Sequence, residues 1–146
     1  MNIRFAEEKD LEAIYELYKH YTGDNIKQYN VILNKEKITE NIRSFVMNKC
    51  GLVAEVNGEI VGGLAGIITP CLFTNDVMFM SMFLYFPEKH RKYVVTFIKG
   101  VEEILERTNV TRLVVANPAF ENADKMDRFY TMLGFQKLET HYVKAV

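Results

Sequence analysis

Cysteine is scarce in this chain. Cys50 and Cys71 are the two present, with no Cys-x-x-Cys pair and no His-x-x-x-His spacing beside them. Such usage argues against a disulfide framework and against a metal site, so no metal ligands are expected and both thiols read as reduced, core-type residues. An excess of one charge is also missing: 18 Lys and Arg stand against 19 Asp and Glu, for a formal net charge of −1. No global basic field exists to gather nucleic acid or an anionic membrane, and small-molecule or protein partners are expected instead. No apolar run approaches the length of a membrane span, and Met1-Asn2-Ile3-Arg4-Phe5 is followed at once by acidic residues, so neither a membrane segment nor a signal peptide is expected. Internal repeats, low-complexity tracts and linkers are lacking too. The 146 residues are expected to form one cytoplasmic domain over 1–146, and a homodimer stays open.

What is present reads as a mixed α/β pattern. Ile3 and Phe5 suggest a first strand, and Leu11, Ile14, Tyr15, Tyr18 and Tyr21 recur at helical spacing up to Gly23. Ile38, Ile42, Phe45 and Val46 draw the apolar face of a second helix. Leu52 to Val56, Asn57-Gly58, and Glu59 to Ile68 form a hairpin signal, since Asn-Gly accepts the positive φ angles of a two-residue turn. Gly62, Gly63 and Gly66 in its second arm suggest bulges or a close approach to the backbone. The almost wholly apolar run from Val77 to Phe86 predicts a central strand covered on both faces, stopped by Pro87. A helix follows on Val94, Phe97, Ile98, Val101, Ile104 and Leu105, then a strand at Leu113 to Ala116 and a loop opened by Pro118.

The closing stretch Arg128-Phe129-Tyr130-Thr131-Met132-Leu133-Gly134-Phe135 carries the most information. Met126, Phe129, Tyr130 and Leu133 share one helical face, Gly134 supplies the left-handed residue that ends a helix, and Phe135 is expected to start a last strand running to Val143. Read alone, Tyr130 is a half-buried core aromatic. The phrase Phe-Tyr-x-x-x-Gly-Phe, with the element order before it, resembles the GCN5-related N-acetyltransferases over essentially the whole chain. That likeness implies a mixed central sheet with helices on both faces, in the order β-α-α-β-β-β-α-β-α-β. It also implies acetyl-CoA as co-substrate, a primary amine as acceptor, and direct attack of the amine on the thioester.

The resemblance gives residues their roles. Tyr130 becomes the proton donor to the departing thiolate. A bulge near Met82, Phe83 or Leu84 lends a backbone N–H to the oxyanion, and the turn after Pro87 meets the pyrophosphate at a helix N-terminus, where anions are favoured. Contacts to acetyl-CoA are thereby expected from Phe83, Leu84, Tyr85, Lys89, His90, Arg91, Lys92, Tyr93, Val94, Val95, Thr96 and Asn122. The family's usual glycines in that turn are replaced by Tyr93 and Val95, and the family's usual asparagine by Ala123, with Asn122 and Asn117 nearby. The run Lys89-His90-Arg91-Lys92 fits an anion at a helix start, although a solvated basic turn would look the same. No carboxylate lies between Val77 and Phe86, which leaves Asp76, Glu55 and His141 as candidate bases. Tyr18, Tyr21, Asp24 and Tyr29 are candidate walls for the amine. The absent glycines and the absent strand carboxylate keep two alternatives open: a noncatalytic interaction module, and an acyl-CoA sensor.

Overall fold

The alternation at Ile3 and Phe5 does build an edge strand, β1 (Asn2–Phe5). A 3-10 turn at Glu8–Asp10 leads into α1 (Leu11–Asn25), followed by α2 (Lys35–Met47), β2 (Gly51–Val56), β3 (Glu59–Pro70) and β4 (Val77–Tyr85). A second 3-10 turn, Glu88–Tyr93, runs into α3 (Val94–Leu105), and β5 (Arg112–Val114) and α4 (Ala123–Met132) come last. These elements come from a computed structural model that describes residues 1–25, 33–116 and 123–138. The chain divides into two compact units, Met1–Ala116 and Asn117–Val146.

In the first unit the strands lie in the order β1-β2-β3-β4-β5. The first three pairings are antiparallel and β4 with β5 is parallel, as a strand-helix-strand crossover through α3 requires. Asn57 and Gly58, with φ of 52° and 82°, form the expected hairpin turn. Two expectations shift. α1 continues through Gly23 to Asn25, because a glycine weakens a helix by only about 1 kcal/mol and does not by itself end one. β5 is confined to three residues, because its ladder to β4 stops at Met80–Val114.

Helices cover both faces of the sheet. On one face Leu52, Ala54, Val61, Leu64, Phe79 and Phe86 pack with Phe97, Val101 and Leu105 of α3. On the other, Val53, Ala65, Phe83 and Tyr85 pack with Ile14 and Leu17 of α1 and Ile42 of α2. Arg4 ties the edge of this sheet together. Its guanidinium donates to both carboxylate oxygens of Asp10 at 2.7 and 3.0 Å, and to Glu55 Oε2 at 2.7 and 3.0 Å. Asp10 is buried, and its Oδ2 also accepts from the Glu7 amide at 2.8 Å. Burial works to raise this carboxyl, but the Arg4 and Glu7 hydrogen bonds and the Arg4 charge outweigh it and hold it below the usual range.

In the second unit the apolar face on Phe129 and Tyr130 ends as anticipated, with Gly134 at φ 88°. The Phe135 amide donates to the Tyr130 carbonyl at 3.0 Å and the Gly134 amide to that of Thr131 at 3.0 Å. Those two bonds define a Schellman cap, whose accompanying apolar contact is the edge-on pair of Tyr130 and Phe135, 5.6 Å between centroids. The expected strand does not start at Phe135, whose amide is spent on the cap instead of a ladder, and residues 136–138 are irregular as well. The remainder of that expected strand lies outside the described residues.

Candidate functional site

The site expected along β4 is shaped by two departures from regular pairing. β4 pairs with β3 over its full length, but with β5 only from Met78 to Met80. Past that point the Ser81 hydroxyl oxygen accepts the Ala116 amide at 3.1 Å, and among the described residues no strand lies beside β4 from Met82 to Tyr85 on its β5 side. The β3–β4 register passes from Gly66↔Ser81 to Ala65↔Phe83, so Met82 is an extra residue, a bulge left out of the ladder and 62% exposed. One inserted residue reverses the facing of all that follow. Phe79 faces α3, whereas Phe83 and Tyr85 face α1, and Leu84 and Phe86 return to the α3 side. Gly66 permits this kink, since a Cβ there would collide with the Met80 carbonyl oxygen.

After β4 the chain enters the basic turn. Pro87 begins it, and the turn is a continuous 3-10 segment whose last residue, Tyr93, is already helical at φ −88° and ψ −12°. The His90 amide donates to the Pro87 carbonyl at 2.8 Å, and the Val94 amide to that of Arg91, so two of the amides expected to face a pyrophosphate are bonded inside the turn. Lys89, Arg91, Lys92, Val95 and Thr96 are exposed. Among the described residues, Lys89, Arg91 and Lys92 have no ion-pair partner. Tyr93 and Val94 are half-buried against the α3-side core, and the Tyr93 ring lies beside His90 and under the Lys92 ammonium, 5.1 Å from its centroid. The bulk that replaces the family's first glycine is thus turned toward the sheet. Burial and the neighbouring Lys89 and Lys92 push His90 below its usual range, leaving the turn's charge to three permanent cations.

α1 supplies the wall opposite the bulge. The Tyr18 ring stacks flat on Phe83, 4.2 Å between centroids and 5° between planes, and Tyr21 meets Phe83 and Tyr85 edge-on at 5.2 and 5.8 Å. Burial raises both tyrosine hydroxyls above their usual range, so neither is a ready base. An open groove of about 1210 Å³ lies between α1, the β2–β3 hairpin and the basic turn, and Tyr85, Lys89, His90, His20, Glu59 and Glu88 are on its walls.

The candidate bases fare poorly. Glu55 is engaged by Arg4. Asp76 precedes the opposite end of β4, where Arg112, Thr74 and Thr111 hydrogen-bond it and bring its carboxyl down to about 2. The side chain of Asp24, and Tyr29, Asn117, Asn122 and His141, lie outside the described residues. Tyr130 is buried, with its ring between Phe129 and Phe135. Sequence reasoning missed the Tyr18–Phe83 stack and the Arg4 network. The first left no signal, because an unbroken apolar run conceals a reversal of facing; the second had one in Arg4, a charged residue set between Ile3 and Phe5.

Comparison with known proteins settles the architecture. No protein-family model and no curated protein sequence matches this chain. Solved structures do match. A ribosomal-protein-alanine N-acetyltransferase from Brucella melitensis superposes with a TM-score of 0.73 at 16% identity, covering 100% of both chains. A predicted acetyltransferase from Clostridium acetobutylicum, solved with acetyl-CoA, gives 0.74 at 18%, covering 99% of this chain and 95% of that one. An aminoglycoside acetyltransferase from an uncultured soil sample, in complex with sisomicin, gives 0.74 at 14% with the same coverage. The chain has the GCN5-related N-acetyltransferase fold.

Proposed function

We propose that this protein transfers an acetyl group from acetyl-CoA to a primary amine. The observation that carries the reading is the parting of β4 from β5 after Met80, with the bulge at Met82 just beyond it, in a chain with the acetyltransferase fold. A strand edge without a neighbour offers amide and carbonyl groups to an extended, amide-containing ligand such as the pantetheine arm. Phe83, Leu84 and Tyr85 would line that arm, while Lys89, Arg91 and Lys92 would meet the phosphates with their side chains. With His90 and Val94 amides already bonded, the turn relies on charge more than on a backbone cradle.

In this reading the amine nitrogen attacks the thioester carbonyl carbon, and a backbone N–H at Met82 to Leu84 takes the charge that builds on oxygen, the kind of preorganised donor that contributes most in acyl transfer. The carbon–sulfur bond then breaks. Tyr130 gives its proton to the sulfur, the new ammonium loses one to solvent, and Tyr130 is reprotonated. With Glu55 and Asp76 engaged elsewhere, the acceptor amine would enter neutral or lose its proton through water. Calorimetric titration with acetyl-CoA tests the reading: saturable binding near one equivalent is expected, and absence of heat and of thermal stabilisation would refute it.

A second reading is favoured by one observation, the internal bonding of the basic turn around Tyr93: a noncatalytic module on the same scaffold. It predicts no acetyl-CoA binding, so the same titration separates the two.

A further inference from the structure

The bulge at Met82 is a local distortion, and something must keep β4 from relaxing to a regular ladder. Two features converge on it. On the α1 side, Phe83, 3% exposed, sits where the reversed facing places it, clamped flat by Tyr18 and edge-on by Tyr21. Those contacts exist only in the bulged register, because without the extra residue position 83 would point to the α3 face with Phe79 and Ser81. On the β3 side, Gly66 faces Ser81 at the shift, and its missing Cβ is what lets the Met80 carbonyl approach. The same glycine donates its amide to the Cys50 carbonyl at 3.0 Å, which fixes β3 behind the bulge.

We propose that Tyr18 and Gly66 are positioning residues for acyl transfer: together they hold β4 in its bulged register and so aim the backbone N–H groups of Met82 to Leu84 at the thioester carbonyl. The role rests on the acetyltransferase reading and adds to it two residues that act through the backbone of β4. The Tyr18 ring works through its flat face and not through its hydroxyl. Phenylalanine at 18 therefore preserves the function, whereas an aliphatic side chain of similar volume loses it.

The test reads the carbonyl directly and needs no acceptor. Acetyl-CoA labelled with ¹³C at the acetyl carbonyl is bound to the full chain, and its resonance is compared with that of the free thioester; a hydrogen bond to the carbonyl oxygen moves it downfield. The wild type and Tyr18→Phe are expected to share that shift. Tyr18→Met and Gly66→Ala are expected, at concentrations that saturate them with acetyl-CoA, to return the carbonyl resonance to the free position. If both variants keep the wild-type shift, or if the wild type itself binds acetyl-CoA without any shift, the positioning role is overturned while the proposed function stands. A wild type that binds no acetyl-CoA overturns the proposed function and this role with it. Should Gly66→Ala fail to fold, the contrast between Tyr18→Phe and Tyr18→Met decides by the same shift.

Discussion

Replacing Gly134 isolates one physical cause at the end of α4. Gly134 sits at φ 88°, the left-handed region, and a Cβ built there meets nothing within 4 Å, so a substitution adds backbone strain with no collision. An L-residue in that region costs about 1–2 kcal/mol. Alanine recovers part of this, roughly 0.4–1 kcal/mol, because it also restricts the unfolded chain, leaving a net loss of about 0.5–1 kcal/mol. Valine, stiff at χ1, falls at the upper end, about 2 kcal/mol. Asparagine tolerates the left-handed region and loses least. For a chain near 150 residues each kcal/mol moves Tm by about 2–4 °C, so Gly134→Val is expected to melt roughly 4–8 °C below the wild type, with alanine and asparagine between. Calorimetric melting of the three variants is the assay. Equal Tm for asparagine and valine would refute the left-handed cap as the cause, and an unchanged Tm for all three would mean that the cap adds nothing to global stability.

Three further outcomes follow from other parts of the structure. Asp10→Asn leaves the Arg4 guanidinium with Glu55 as its one carboxylate among the described residues, and urea melting at pH 7 is expected to show a loss of about 2–3 kcal/mol, below the range for a fully buried pair because Arg4 is partly exposed. Because the folded-state pKa of Asp10 is depressed, its contribution is complete above the unfolded value of about 3.9 and is lost as pH falls through the lower folded value, so the gap between wild type and variant should close on acidification; a gap that widens would contradict the assignment. Lys89→Glu with Arg91→Glu should weaken CoA, measured by calorimetry, far more than it weakens a pantetheine fragment without phosphates, and equal losses would place the effect on folding. Tyr130→Phe should lower kcat by about 10², the low end for general acid catalysis because thiolate leaves readily, with acetyl-CoA affinity unchanged; wild-type turnover would make Tyr130 a packing residue.

The elements that the sequence foretold are those whose signal is local. The Asn57-Gly58 turn, the apolar face of α3 and the Gly134 cap each follow from a few neighbouring residues, and each is where it was expected. The bulge was foreseen only as a stretch of three residues, and its placement at Met82 depends on pairing with β3, which adjacent residues do not encode. Glu55 and Asp76 looked free as candidate bases because their partners, Arg4, Thr111 and Arg112, are distant in sequence. Tyr93 stands where the resemblance has a glycine, and where its ring goes was not legible locally, because the α3-side core it packs on is assembled from distant strands. At Phe135 the helix cap takes the amide that a strand starting there would have offered to a ladder, a competition that the apolar pattern does not show.

Acetyl transfer itself is measured most directly by release of free CoA thiol from acetyl-CoA in the presence of a panel of primary amines: polyamines, amino acids, an aminoglycoside, and peptides with free N-termini or lysines. Thiol release that depends on both enzyme and amine, with one N-acetylated product formed per thiol, is the predicted result. Saturable acetyl-CoA binding with no amine-dependent thiol release across the panel would contradict transfer to these amines and leave the chain an acyl-CoA-binding protein on an acetyltransferase scaffold.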